Sequence, residues 1–250
     1  MAKPVNFKEY ANKFDNYRSA DQNLIDTLIN MMGLSKDMHI LDYGCGTGNY
    51  LMQLKARGFI HLYGLDKSEE MCKISAEKTG LVVRCGDELN LPYEKNSFDA
   101  VIIIDVLHFV QNIDVFFARL NTIIKPGGKV FIATQSREQL RTRVYAKYFP
   151  SAYEIDKDRH HQISEIISHA TTHGFSHYDV SGYKENTDYT VDTNYLQLVK
   201  NKAFYIFGLI PEVEFEKGIA MLEQDLLNGP FVAKFPGRTL ILLQKDGDIK

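Results

Sequence analysis

Apolar residues fall along this chain in short dense runs separated by longer stretches where they recur every third or fourth position. The dense runs read as strands: MHILDYG, HLYGLD, LVVRCGD, FDAVIIIDVL, KVFIATQ, FSHYDVSGY and RTLILLQK. Between them the helical period dominates. Phe7, Tyr10, Phe14 and Tyr17 form one helical stripe, and Leu24, Ile25, Leu28 and Ile29 a second, which Gly33 stops. Residues 48–57 make a helix closed by Gly58. Ser68 caps EEMCKISAEK, with Glu69 and Glu70 in its favourable first turn. IDVFFARLNTII is a helix stopped by Pro126, Gly127 and Gly128. HHQISEIISHATTHG ends at Gly174, and EVEFEKGIAMLEQDLL is the clearer of two helices between residues 192 and 228.

Strand and helix alternating in this way predict an α/β, doubly wound, mostly parallel sheet of about seven strands, Rossmann-like in outline. FDAVIIIDVL is almost wholly apolar, as a strand covered on both faces requires. Residues 136–158 mix aromatics with charges and make a poor strand. Residues 1–32, 136–158 and 185–235 are expected to form a helical cap over the sheet's carboxyl edge, within a single domain spanning 1–250.

Composition narrows the partners. The chain has 250 residues and a formal net charge of -3, so no basic excess favours nucleic acid. No apolar run approaches the length that crosses a bilayer, and the first residues lack the apolar stretch of a secretory signal. Cys45, Cys72 and Cys85 show no Cys-x-x-Cys spacing, so they read as reduced thiols in a cytoplasmic protein.

The stretch ILDYGCGTGNY holds Gly44, Gly46 and Gly48 between the first strand and a helix. Ligands of open parallel sheets sit at the strands' carboxyl ends, so this loop is the place to look. A phosphate-binding P-loop needs Lys followed by Ser or Thr after its last glycine, whereas Asn49 and Tyr50 follow here. In the dinucleotide pattern the third glycine falls where Asn49 stands. A third ligand, S-adenosylmethionine, carries an amino group and a carboxylate but no pyrophosphate. A bare glycine backbone can approach its methionine end, while Asp66, ending the next strand, can accept both ribose hydroxyls and Asp87 the adenine amino group.

The stretches ILDYGCGTGNY, YGLDKSEEM, CGDELNLPYEKNSFDAVIIIDVLHFV and IKPGGKVFIAT, taken in order, resemble class I S-adenosylmethionine-dependent methyltransferases. The similarity is to the broad ubiquinone/menaquinone-biosynthesis-like small-molecule type and covers residues 38 to about 134. It implies methyl transfer to a small-molecule acceptor, leaving S-adenosylhomocysteine. It also implies that Gly44, Cys45 and Gly46 flank the methionine moiety, that Asp66 holds the ribose, and that Lys67 and Met71 lie beside the adenine. Asp87 and Glu88 would meet the adenine edge, and Asp105, Val106 and His108 would border the transferable methyl. Tyr17 and Arg18, in FDNYRSAD, are candidates for the cofactor's tail.

Plainer roles compete for each residue. Asp66 could cap a helix, though Ser68 suits that better. Asp87 could shape a turn, Asp105 end a strand, and Asp42 bond the loop's own backbone. His108 is the catalytic candidate, since a neutral imidazole can take a proton from an attacking hydroxyl or amine; the alternative is packing beside Phe109. His169 and His173 lie four apart on one helix face, but no Glu or Cys accompanies them at ligand spacing, so no metal is expected. Tyr145, Tyr148, Phe149 and Tyr153 could line an acceptor pocket or simply pack. A nicotinamide-dependent oxidoreductase and a non-catalytic S-adenosylmethionine-binding module remain as alternative functions.

Overall fold

In this computed structural model residues 15, 19–184 and 187–247 are described. The chain divides into two compact units. One holds the described residues up to Thr134 together with 162–181 and 240–247; the other holds 135–161 and 182–239.

The first unit is built on the seven-stranded sheet. Its strands are β1 (His39–Tyr43), β2 (His61–Asp66), β3 (Val82–Cys85), β4 (Phe98–Ile104), β5 (Ile124–Thr134), β6 (His177–Tyr183) and β9 (Arg238–Gln244), in the order β3-β2-β1-β4-β5-β9-β6. β1 pairs in parallel with β2 and β4, β2 with β3, and β4 with β5. Just past β9, Lys245 accepts from Gly127 N–H at 3.1 Å and donates to Gly128 O at 2.9 Å. The end of β9 thus meets the start of β5, and these two strands run antiparallel. The chain winds outward from β1 to β3 and then returns to β4, so the strand order reverses between β1 and β4. That reversal opens a crevice at their carboxyl ends.

Helices α1 (Gln22–Met32), α2 (Asn49–Ala56), α3 (Glu69–Thr79), α4 (Ile113–Ile123) and α8 (Ile163–Thr172) belong to this unit. Their ends follow the chemistry of the sequence. Asp21 caps α1, accepting from Asn23 N and Leu24 N, and Gly33 ends it in the left-handed conformation. Ser68 caps α3 and accepts from Met71 N. Val101, Ile102 and Ile103 of β4 are fully buried, in keeping with a central strand covered on both faces.

The second unit has its own core. It contains α5 (Arg137–Arg141), α6 (Tyr145–Tyr148), α7 (Pro150–Arg159), α9 (Thr193–Lys200), a 3-10 turn at Tyr205–Gly208, α10 (Glu212–Leu226) and a two-stranded antiparallel sheet of β7 (Thr187–Val191) with β8 (Phe231–Phe235). Phe149, Phe207 and Phe215 pack together at its centre, with ring centroids 4.9 to 5.8 Å apart. A Cβ on Gly218 would lie 2.1 Å from Phe149 Cε1, so only glycine lets α10 close on that ring. The buried carboxylate of Asp156 accepts the hydroxyls of both Tyr145 and Tyr205 and lies 3.8 Å from Arg143.

Several sequence expectations are corrected. Helix α4 ends one residue early, and Pro126, Gly127 and Gly128 lie inside β5 rather than in a turn. The register slips between Phe98 and Ala100, and the glycines let the strand bulge there. Residues 136–158, read from the sequence as a poor strand and as part of a helical cap, form no strand and hold three short helices. The helix expected over 160–174 begins only at Ile163, because α7 runs to Arg159 and His160 is the residue that ends it. The insertion at 185–235 contains the β7–β8 pair as well as helices. Of the segments expected to form a cap, the described part of 136–158 and of 185–235 falls in the second unit. Helix α1 falls in the sheet unit, where it buries Leu24, Ile25, Leu28 and Met32 and receives Lys129 Nζ on Met32 O at 2.8 Å. The first helical stripe, with Tyr17 and Arg18, lies outside the described residues. No described helix is long and apolar enough to cross a membrane.

Candidate cofactor site

The loop after β1 turns on three left-handed glycines: Gly44, Gly46 and Gly48 have φ of 75, 54 and 82°. Leu65 O holds it against β2, accepting from Gly44 N–H at 2.7 Å and Cys45 N–H at 2.9 Å. Val106 backs the loop so closely that a Cβ on Gly44 would lie 2.3 Å from Val106 Cγ2.

Asp66 ends β2 one strand away. Its Oδ2 accepts from Gly46 N–H at 3.0 Å and its Oδ1 from Ser68 N–H at 2.9 Å. Burial raises its pKa, against the lowering effect of those two backbone donors. A carboxylate offers about four acceptor positions, so two remain for a ligand. The helix-capping role belongs to Ser68, as the spacing indicated.

Asp42 does not bond the loop's backbone through Oδ2: that atom is buried with no hydrogen-bond partner among the described residues. Burial first, and the Asp66 charge second, push its pKa up to about 8, so the side chain is a neutral acid through most of the physiological range. Cys45 is buried, and burial together with the Asp42 and Asp66 charges pushes its thiol up, away from a reactive thiolate.

The remaining candidates converge from three loops. Lys67 Nζ lies 5.1 Å above the Phe109 ring, and Met71 is buried in the first turn of α3. Asp87 shapes a turn, accepting from Leu89 N and Asn90 N at 3.0 and 3.1 Å. Glu88 is buried and accepts from Gln111 N at 2.9 Å, tying the loop after β3 to the loop after β4. Asp105 follows β4 with φ of 54°, a left-handed conformation unusual outside glycine, and its N–H bonds Ala133 O at 2.9 Å. Val106 leads into a 3-10 turn at Leu107–Phe109, where the His108 and Phe109 rings lie 4.1 Å apart.

Sequence reasoning missed Asp15. Its carboxylate accepts from Thr47 Oγ1 at 2.5 Å, Asn49 Nδ2 at 3.0 Å and Lys78 Nζ at 2.6 Å, fastening the glycine loop and α3 to the segment that precedes α1. Burial works to raise the Asp15 pKa, but these donors outweigh it and hold the carboxyl below its ordinary value. The only available signal was its place in FDNYRSAD, beside Tyr17 and Arg18. Elsewhere, His169 Nδ1 and His173 Nε2 both meet Asp114 Oδ1, at 3.2 and 2.8 Å. No group of three or more His, Cys, Asp or Glu residues is arranged to hold a metal among the described residues.

The sheet order and flanking helices are those of the Rossmann-like methyltransferase fold. A methyltransferase from an antibiotic biosynthesis pathway of Anabaena variabilis, itself described as putative, superposes with a TM-score of 0.77 at 21% identity, over 91% of this chain and 98% of that one. A phosphoethanolamine N-methyltransferase of Haemonchus contortus, solved with phosphomonomethylethanolamine and S-adenosylhomocysteine, superposes with a TM-score of 0.63 at 15% identity, over 99% and 62%. Residues 41–132 match the family model described as a methyltransferase domain, the segment that carries the motifs read from the sequence. Demethylmenaquinone methyltransferase of Staphylococcus aureus is 38% identical over 126 residues, which are 47% of this chain and 52% of that protein. The chain spans about half the length of the curated relatives it matches. The resemblance to the ubiquinone/menaquinone type is thereby borne out over that segment.

Proposed function

We propose that this chain is an S-adenosylmethionine-dependent methyltransferase that acts on a small-molecule acceptor by in-line displacement. The observation that carries the reading is Asp66, fixed by Gly46 N–H and Ser68 N–H with acceptor capacity to spare for a vicinal pair of ribose hydroxyls. The glycine loop holds no Lys or Arg to meet a pyrophosphate, and the Asp66 carboxyl group lies against it, which suits a ligand bearing ammonium and sulfonium charge. The donor set therefore fits S-adenosylmethionine.

In this reading Gly44, Cys45 and Gly46 flank the methionine moiety and Asp66 holds the ribose. Lys67 and Met71 lie beside the adenine, with Asp87 and Glu88 at its edge. Asp105, Val106 and His108 border the methyl, and Tyr17 and Arg18 serve the tail. When bound, S-adenosylmethionine supplies an electrophilic methyl on a sulfonium. The chain's own work is alignment: the loop backbone and Asp66 fix the donor, while Asp105 and Val106 shape the wall beside the reacting carbon. His108 accepts the acceptor's proton as the new bond forms. A cytoplasmic setting belongs to the same proposal, supported by three free cysteines.

Calorimetry with S-adenosylmethionine against NADH tests the reading. S-adenosylmethionine should bind and NADH should not. Asp66→Ala should weaken S-adenosylmethionine binding by about 1–3 kcal/mol, the worth of hydrogen bonds to a charged group. Unchanged affinity in that variant would refute the ribose assignment, and binding of NADH alone would refute the function.

A further inference from the structure

The second unit holds a concavity of about 440 Å³ that the cofactor site does not use. Arg141, Arg143 and Lys147 line it together with the rings of Tyr148, Tyr153 and Phe231, and no carboxylate is in its lining. Three cations around one hollow stand out in a chain whose net charge is -3. Two of them already have fixed partners. Arg143 leans on buried Asp156 and donates to Gln135 Oε1. Lys147 pairs with Asp225 Oδ2 at 2.6 Å, which Tyr148 also engages at 2.8 Å. Arg141 is exposed, and its side chain has no ion pair or hydrogen bond among the described residues.

We propose that this hollow is a binding site for a small planar aromatic anion, with Arg141 as the cation that engages the anionic group. The guanidinium fork matches the two oxygens of a carboxylate or an aryl phosphate. Arg143 is held in place before any ligand arrives, so it adds positive potential without a further ordering cost. The Tyr148, Tyr153 and Phe231 rings supply the flat apolar walls that an aromatic body needs. Of the four aromatics singled out in the sequence, Tyr148 and Tyr153 reach this hollow, while Tyr145, Phe149 and most of the Tyr148 side chain belong to the second unit's core.

The test uses the full chain without S-adenosylmethionine. Calorimetric titration with benzoate, 2-naphthoate and phenyl phosphate is set against the neutral amides benzamide and 2-naphthamide and against the ring-free anions hexanoate and inorganic phosphate. At least one aromatic anion should bind tenfold or more tightly than its amide and than the ring-free anions. Arg141→Ala should weaken that anion about tenfold while leaving the thermal midpoint unchanged. Amides or ring-free anions binding equally well, no aromatic anion binding at all, or an unaltered affinity in Arg141→Ala and in Lys147→Met would each overturn the site. Aromatic anions bound by a chain that fails to take up S-adenosylmethionine would instead overturn the methyl-transfer reading and leave this site standing.

Discussion

Asp42 lies one residue before the end of β1 as a buried carboxyl group whose Oδ2 has no hydrogen-bond partner among the described residues, and its pKa of about 8 has a thermodynamic consequence. In the unfolded chain the same group ionises near its ordinary 3.8. Between those two values the native state keeps a proton that the unfolded state has lost. Its contribution to stability is therefore fully present below about pH 4 and drains away as pH rises towards 8, by roughly 1.4 kcal/mol per pH unit. Asp42→Asn preserves the shape and removes the titration. Urea midpoints of the variant and the parent should diverge between pH 5 and pH 8, with the variant gaining a few kcal/mol at the alkaline end; parallel curves would show that Asp42 is already ionised in the native state. Residues of this kind differ in how readable they are in a sequence. Asp66 was legible because it closes an apolar run one strand after a glycine loop. Asp15 was not, because Thr47, Asn49 and Lys78 follow it by 32, 34 and 63 positions, and nothing local marks a carboxylate for such distant donors.

Gly44 shows how a single backbone position governs an element. The turn needs φ of 75° there, and the space a Cβ would fill is taken by Val106. Gly44→Ala should therefore cost about 2–4 kcal/mol, the sum of a left-handed alanine and an overpacked contact. Adding Val106→Ala should restore the steric part and leave the conformational part. Chemical denaturation of the single and double variants reads this directly, and a double variant no more stable than Gly44→Ala would show that Val106 is not the obstacle. Legibility at this scale followed from local signals. β4 announced itself by an unbroken apolar run, and α3 by Ser68 followed by two glutamates. The three short helices after β5 were hidden by their mixed aromatic and charged composition, although the Ser136–Gln139 capping box and Pro150 at the start of α7 were there to be read. The β7–β8 pair had no local signal at all. Its strands are five residues each and are joined through two helices, so only tertiary packing brings them together.

At the scale of the whole molecule, two apolar clusters serve the two units and have no residue in common. One gathers around β4, β5 and α4, the other around Phe149, Phe207 and Phe215. Such a division implies that the units open separately, each held by its own core. Asp156 offers a way to loosen one without touching the other. Buried at 1% exposure, it satisfies two tyrosine hydroxyls and faces Arg143, all within the second unit. Asp156→Ala leaves those hydroxyls without their acceptor and Arg143 without its carboxylate, a loss of about 2–4 kcal/mol. Amide hydrogen exchange should then quicken across residues 137–159 and 205–226 while the amides of β1, β4 and β5 keep their protection. If the loss were felt equally in the sheet, the two cores would constitute one cooperative unit. The sequence segment that matches the methyltransferase domain, residues 41–132, would then depend for its stability on residues that lie entirely outside it.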